Sequence, residues 1–113
     1  MMYCLDTNIV IDLFKGDPAI VSKMEGVTPC VTPLSLAELY EGAFGHSREE
    51  RVLADITSFM ASADLLEFSQ EACMIYGRLH SQLKKKGAFA PEIDLMIASI
   101  AHDHGAILVT RDK

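Results

Sequence analysis

Four carboxylates in this chain stand where carboxylates can do chemistry. Asp6 follows directly on the short apolar run Tyr3-Cys4-Leu5, and Asp112 comes three residues after Val109. If both runs are strands of one parallel sheet, both acids lie at its carboxyl edge, where ligands of open α/β sheets bind. Asp94 opens the stretch Ile93-Asp94-Leu95-Met96-Ile97-Ala98-Ser99-Ile100-Ala101. That stretch is apolar on almost every side and reads as a largely buried helix. Residues 97, 98 and 101 share a face with Asp94. A carboxylate above that face is costly unless neutralised, and a helix N-terminus supplies only about 0.3–1 kcal/mol. A divalent cation would compensate far more. Glu38 lies opposite Leu36, Leu39, Tyr40 and Ala43 on its own helix, so it faces solvent or lines a cleft.

Each acid also has a plainer reading. Asp6 suits a helix N-cap, Asp94 an exposed first helical turn, Glu38 a solvated face and Asp112 a turn. Taken together they describe something else. Oxygen-only ligands select hard cations such as Mg²⁺ or Mn²⁺ over zinc. Three or four carboxylates can hold one such ion, or two about 3.5–4 Å apart, and so promote in-line phosphodiester cleavage.

The elements that must position these acids are punctuated clearly. Tyr3–Leu5, Pro29–Val31, Asp64–Phe68 and Ala106–Val109 read as strands. Thr7-Asn8 is expected to cap a helix over Ile9–Phe14, and Asp17-Pro18 starts one running to about Glu25. Thr32-Pro33 opens a helix to about Gly45. Ser47 with Glu50 reads as a capping box for a helix to about Ala61. Ser69 caps a long helix with apolar positions Ala72, Tyr76, Leu79 and Leu83, ending in Lys84-Lys85-Lys86 and a C′ glycine, Gly87. Pro91 starts the last helix, which ends at Gly105. Strands separated by helix pairs cannot form hairpins. The expected fold is therefore α/β, with a parallel sheet of about four strands between helical layers.

The 113 residues suffice for one domain, 1–113, with a real core. Half the residues are hydrophobic and 23% are charged, which excludes a disordered acidic tail. The net charge of −6 argues against a polycation that coats nucleic acid, though not against an acidic site with a basic rim. Residues 1–67 hold 4 Lys/Arg against 11 Asp/Glu, net −7, and residues 68–113 hold 6 against 5, net +1. Cys4, Cys30 and Cys73 have apolar neighbours and no CxxC pair. They read as reduced, buried thiols of a cytoplasmic protein. Neither a signal peptide nor a membrane span is visible.

Tyr3-Cys4-Leu5-Asp6-Thr7-Asn8-Ile9-Val10-Ile11-Asp12-Leu13 resembles the opening strand and helix of PIN-domain nucleases. Ser35-Leu36-Ala37-Glu38-Leu39-Tyr40-Glu41-Gly42-Ala43 resembles their second motif. Ile75–Leu79, Ile93–Ala98 and Leu108–Asp112 follow in the family's order, most like the VapC-type toxin branch of toxin–antitoxin systems. The resemblance covers essentially the whole chain. It implies a three-layer α/β/α fold and a Mg²⁺- or Mn²⁺-dependent endoribonuclease. Asp6, Glu38, Asp94 and Asp112 would hold the metal, and Asn8 and Thr110 would support them. Arg78, Lys84, Lys85, Lys86 and Arg111 are candidate phosphate contacts, the lysine run reading equally as a solvated helix end. The implied partners are RNA, a VapB-like antitoxin and a second copy of the chain, with no membrane.

Two departures from the family pattern stand out. Ile93 occupies a position where the family commonly has Asn. The family also usually continues into a further edge strand beyond the position of Lys113, so the expected sheet lacks that strand and has an open edge. Other readings stay open. An aspartyl phosphatase would need Asp where Asn8 stands, and a receiver domain would need paired acids after the first strand. His102 and His104, at i and i+2, do not share a helix face and make a poor zinc pair. A catalytically inactive PIN-like module that binds protein or RNA is the non-enzyme alternative.

Overall fold

A computed structural model of the chain describes residues 1–111. The elements run β1 (Tyr3–Leu5), α1 (Thr7–Phe14), α2 (Pro18–Met24), β2 (Pro29–Val31), α3 (Pro33–Ala43), α4 (Glu49–Met60), β3 (Asp64–Leu65), α5 (Gln70–Lys85), α6 (Glu92–Asp103) and β4 (Ile107–Val109). All strand pairings are parallel, in the order β3-β2-β1-β4. From β1 the chain steps outward to β2 and β3, then returns past β1 to lay down β4. The topological switch point therefore falls between β1 and β4, and Asp6 leaves the sheet there.

Alternation along the strands feeds two cores. Leu5 and Val31 pack with Ile9, Val10, Ile20, Leu39, Ile56 and Phe59 from α1–α4. Cys4 and Cys30, paired in register, pack with Ala72 of α5 and with Ile100 and Ala101 of α6. The result is helices, sheet, helices: the three-layer arrangement expected from the sequence.

Local chemistry explains most boundaries. Asp17 accepts from the Ala19 and Ile20 amides with Pro18 at the first helical position. Thr32 accepts from the Ser35 amide, and Ser69 from the Ala72 amide. Gly87 takes φ +68°, as a C′ residue after the basic last turn requires.

Several expectations are corrected. Asp6, not Thr7 or Asn8, caps α1, accepting from the Ile9 amide at 3.0 Å. The Ser47 box does not form. Arg48 takes the cap position without a side-chain bond, and Glu49 reaches back to the Gly45 amide instead. β3 is two residues long, with Asp64 and Leu65 in register with β2 and one further bond from the Leu66 amide to the Val31 carbonyl before the chain leaves the sheet. Cys73 is exposed, lying on the outer face of α5. Among the described residues, no helix is long and apolar enough to cross a membrane.

Candidate metal centre

Asp6 is the fixed point of the site. Its amide bonds to the Val109 carbonyl at 3.2 Å, which ties the end of β1 to the end of β4. Its Oδ1 accepts from the Ile9 amide, and its Oδ2 accepts from the Thr110 hydroxyl. Both carboxylate oxygens are thus oriented while each keeps a lone pair for another partner. Asp6 is half-buried at the sheet edge.

Glu38 is drawn in from α3. Thr7, the first residue of α1, donates its hydroxyl to Glu38 Oε1 at 2.5 Å. One step of chain from Asp6 to Thr7 therefore connects both carboxylates. Beside Glu38 lies a cavity of about 370 Å³, floored by Ile11, Phe14, Leu39 and Val52 and edged by Arg48 and Arg51. Thr7 and these arginines were not singled out in the sequence. A hydroxyl that bridges residues 31 apart leaves no periodic signal, and Arg48 and Arg51, one turn apart at the start of α4, meet the cavity only because α4 packs beside α3.

Asp94 departs from its expected surroundings. It is exposed in the first turn of α6, whose buried face is Leu95, Ile97, Ser99, Ile100 and Ala101. Contrary to the expectation from the sequence, burial imposes no cost on this carboxylate, because the helix turns Asp94 outward. Its neighbour Ile93 is 38% exposed. Asp112 lies outside the described residues. Among the described residues, no three acidic, histidine or cysteine side chains stand close enough to share an ion. The donor chemistry nonetheless suits a hard cation. Asp6 and Glu38 offer oxygen only, and each is held by a hydroxyl.

The basic candidates divide. Arg78 and Lys84–Lys86 are exposed on α5. Arg111, expected to meet phosphate, instead pairs with Asp12 Oδ2 at 2.7 Å and Asp17 Oδ2 at 2.8 Å. Asn8 is exposed in the first turn of α1.

The PIN domain family model matches residues 3–113. Among curated proteins, the chain is 34% identical to Ribonuclease VapC2 of Haemophilus influenzae, covering 99% of this chain and 87% of that protein. It is 32% identical to the tRNA(fMet)-specific endonuclease VapC of Shigella flexneri, with the same coverage. Among solved structures, VapBC2 of Rickettsia felis bound to a promoter DNA fragment superposes with TM-score 0.91 at 29% identity, over 99% of this chain and 89% of that one. VapBC-1 of nontypeable Haemophilus influenzae follows at 0.88 and 32%, over 99% and 87%.

Proposed function

Since the chain belongs to the PIN domain family, we infer that it is a VapC-type toxin endoribonuclease working through a divalent metal at the β1/β4 switch point. The observation that carries the assignment of the site is the convergence on Asp6. The end of β4 delivers Thr110 to it, and α1 links it through Thr7 to Glu38. Asp6, Glu38, Asp94 and Asp112 would hold Mg²⁺ or Mn²⁺. Bound there, the ion supplies an activated water and neutralises charge on the attacked phosphate. The chain's own groups do the rest. Thr110 and the Ile9 amide orient Asp6, and Thr7 fixes one oxygen of Glu38 and leaves the other for the site. Asn8 would support the centre, and Arg78 and Lys84–Lys86 would meet RNA phosphates.

The solved relatives are VapBC assemblies, which supports a VapB-like antitoxin as partner here. Its basic side chain would enter the acidic centre. RNA is the substrate and a homodimer the working form in this reading. The buried thiols Cys4 and Cys30 suit a reducing cytoplasm. Co-purification from the native operon tests the antitoxin.

A binding module without catalysis is favoured by one observation: among the described residues, no three carboxylates cluster closely enough to share an ion. Calorimetry with Mn²⁺ should give heat with the native chain and none with an Asp6→Asn, Asp94→Asn variant. Absence of heat from the native chain would overturn the metal reading. RNA cleavage that EDTA abolishes would exclude the non-catalytic module.

A further inference from the structure

We propose that Arg111 is a positioning residue for this centre: its guanidinium clamps Asp12 and Asp17 and so docks the end of β4 against α1. The proposal rests on the metal reading above. Its physical basis is the contact pattern itself. Arg111 Nε meets Asp12 Oδ2 at 2.7 Å, and Nη2 meets Asp17 Oδ2 at 2.8 Å. One guanidinium thus bridges a carboxylate of α1 and the N-cap of α2, its rigid planar fork directing one bond to each.

The two carboxylates are brought together by backbone. The Asp17 amide donates to the Asp12 carbonyl at 3.0 Å. Gly16 takes φ +75° to make that turn, a conformation that suits glycine. Arg111 is held on one side by this turn and is joined on the other to Thr110, which bonds to Asp6. Asp112 follows it in the chain. The clamp therefore fixes the short segment that delivers Thr110 to Asp6. It also neutralises two acids that would otherwise compete for a cation. Single ion pairs at half-exposed positions add little global stability, so the clamp acts on local geometry.

Two readouts separate this role from simple destabilisation. The Asp6 amide, bonded to Val109, reports docking of β4 on β1, and the Leu66 amide, bonded to Val31 at 2.8 Å, reports the distant β2–β3 side. In the native chain Asp6 and Leu66 should both be protected from hydrogen exchange. Arg111→Ala should speed exchange at Asp6 about tenfold, leave Leu66 unchanged, and weaken Mn²⁺ binding about tenfold by calorimetry. The Asp12→Asn, Asp17→Asn variant should reproduce that pattern should Arg111→Ala fail to fold. Arg111→Lys, which keeps the charge but not the fork, should fall between. Unchanged exchange at Asp6, or equal acceleration at Asp6 and Leu66, overturns the proposal, as does full Mn²⁺ affinity in Arg111→Ala. If the native chain takes up no Mn²⁺, the metal reading falls and the positioning role with it. Asp6 exchange then still shows whether Arg111 docks β4.

Discussion

At the residue scale, two hydroxyls do what no carboxylate does alone. Thr7 and Thr110 hold Glu38 and Asp6 in fixed orientations without bringing any charge to the site. Removing a donor from a charged acceptor costs about 1.5–3 kcal/mol in favourable settings. Thr7→Val should therefore weaken Mn²⁺ binding several-fold, with Thr7→Ser close to native, as calorimetry would read. Equal affinity in both variants would mean that Glu38 orients itself. Asp6, Asp94 and Asp112 stand out in the sequence because each follows or opens a recognisable element. Glu38, inside its helix, and Thr110 come only through the family motifs, and the bond from Thr7 to Glu38 leaves no sign because its partner is 31 residues away. The cysteines show the same limit. Apolar neighbours surround all three, yet only Cys4 and Cys30 are buried. Burial pushes the Cys4 thiol up to about 12, with Cys30 and Asp6 adding to the rise, and raises the Cys30 thiol as well. The thiolate is the nucleophile, so iodoacetamide at pH 8 should label the native chain once, at Cys73, and three times after unfolding. Rapid double labelling, read by mass spectrometry, would contradict the burial.

At the scale of elements, the order of strands and helices was readable throughout, and the reason is capping. Asp17-Pro18, Thr32-Pro33, Ser69 and Gly87 each solve a local problem of unsatisfied backbone groups, and such solutions are written in adjacent residues. Strand order is not local. Three-residue strands carry too little pattern to say which neighbours which, and the return of β4 past β1 is decided by packing on both faces. Ser69 shows how a cap can also join elements. Its oxygen accepts from the Ala72 amide, and its hydroxyl donates to Asp103 Oδ2 at 2.7 Å, locking the start of α5 to the end of α6. Ser69→Ala should cost about 1–2 kcal/mol of unfolding free energy. Ser69→Asn should recover the cap. Urea titration gives both values, and a loss near zero for alanine would show that neighbouring packing fixes the junction. Asp17 offers a pH test of the same kind. The Ile20 amide, with Arg111 and the Ala19 amide, holds its carboxyl below the usual carboxylate range. Its contribution is complete above the unfolded value of 3.8 and is lost as pH falls through the lower folded value. The melting difference between native chain and Asp17→Asn should shrink on acidification below pH 4.

At the scale of the whole molecule, the net charge of −6 takes on a different meaning. Without Asp6, Glu38, Asp94 and Asp112, 12 acids face 10 basic residues, so the four acids proposed as metal ligands account for most of the excess. An RNA substrate, as proposed, must still be held by something, and the shape offers a place. The radius of gyration is 14.8 Å, above the roughly 13 Å of a compact chain this long. The Ser69–Asp103 bond joins the start of α5 to the end of α6, and the short link 86–91 joins the end of α5 to the start of α6, so the two packed helices run antiparallel. At 1.5 Å per residue, the 16 residues of α5 span about 24 Å and the 12 of α6 about 18 Å. The lysine run therefore overhangs the end at which Asp94 sits. Two explanations compete for it: cations matched to the carbonyl end of a helix, or a phosphate rail leading to the centre. Neutralising contacts release counterions, and each lost contact flattens the salt dependence of single-strand binding by about 0.7 in the log–log slope. A rail makes Lys84→Ala, Lys85→Ala, Lys86→Ala shallower by about 2, with Mn²⁺ uptake unchanged because, among the described residues, none of these three lysines pairs with Asp6, Glu38 or Asp94. A helix-end role leaves the slope as it was and lowers thermal stability instead. Filter binding across a salt series and a melting curve on the same variant decide between them.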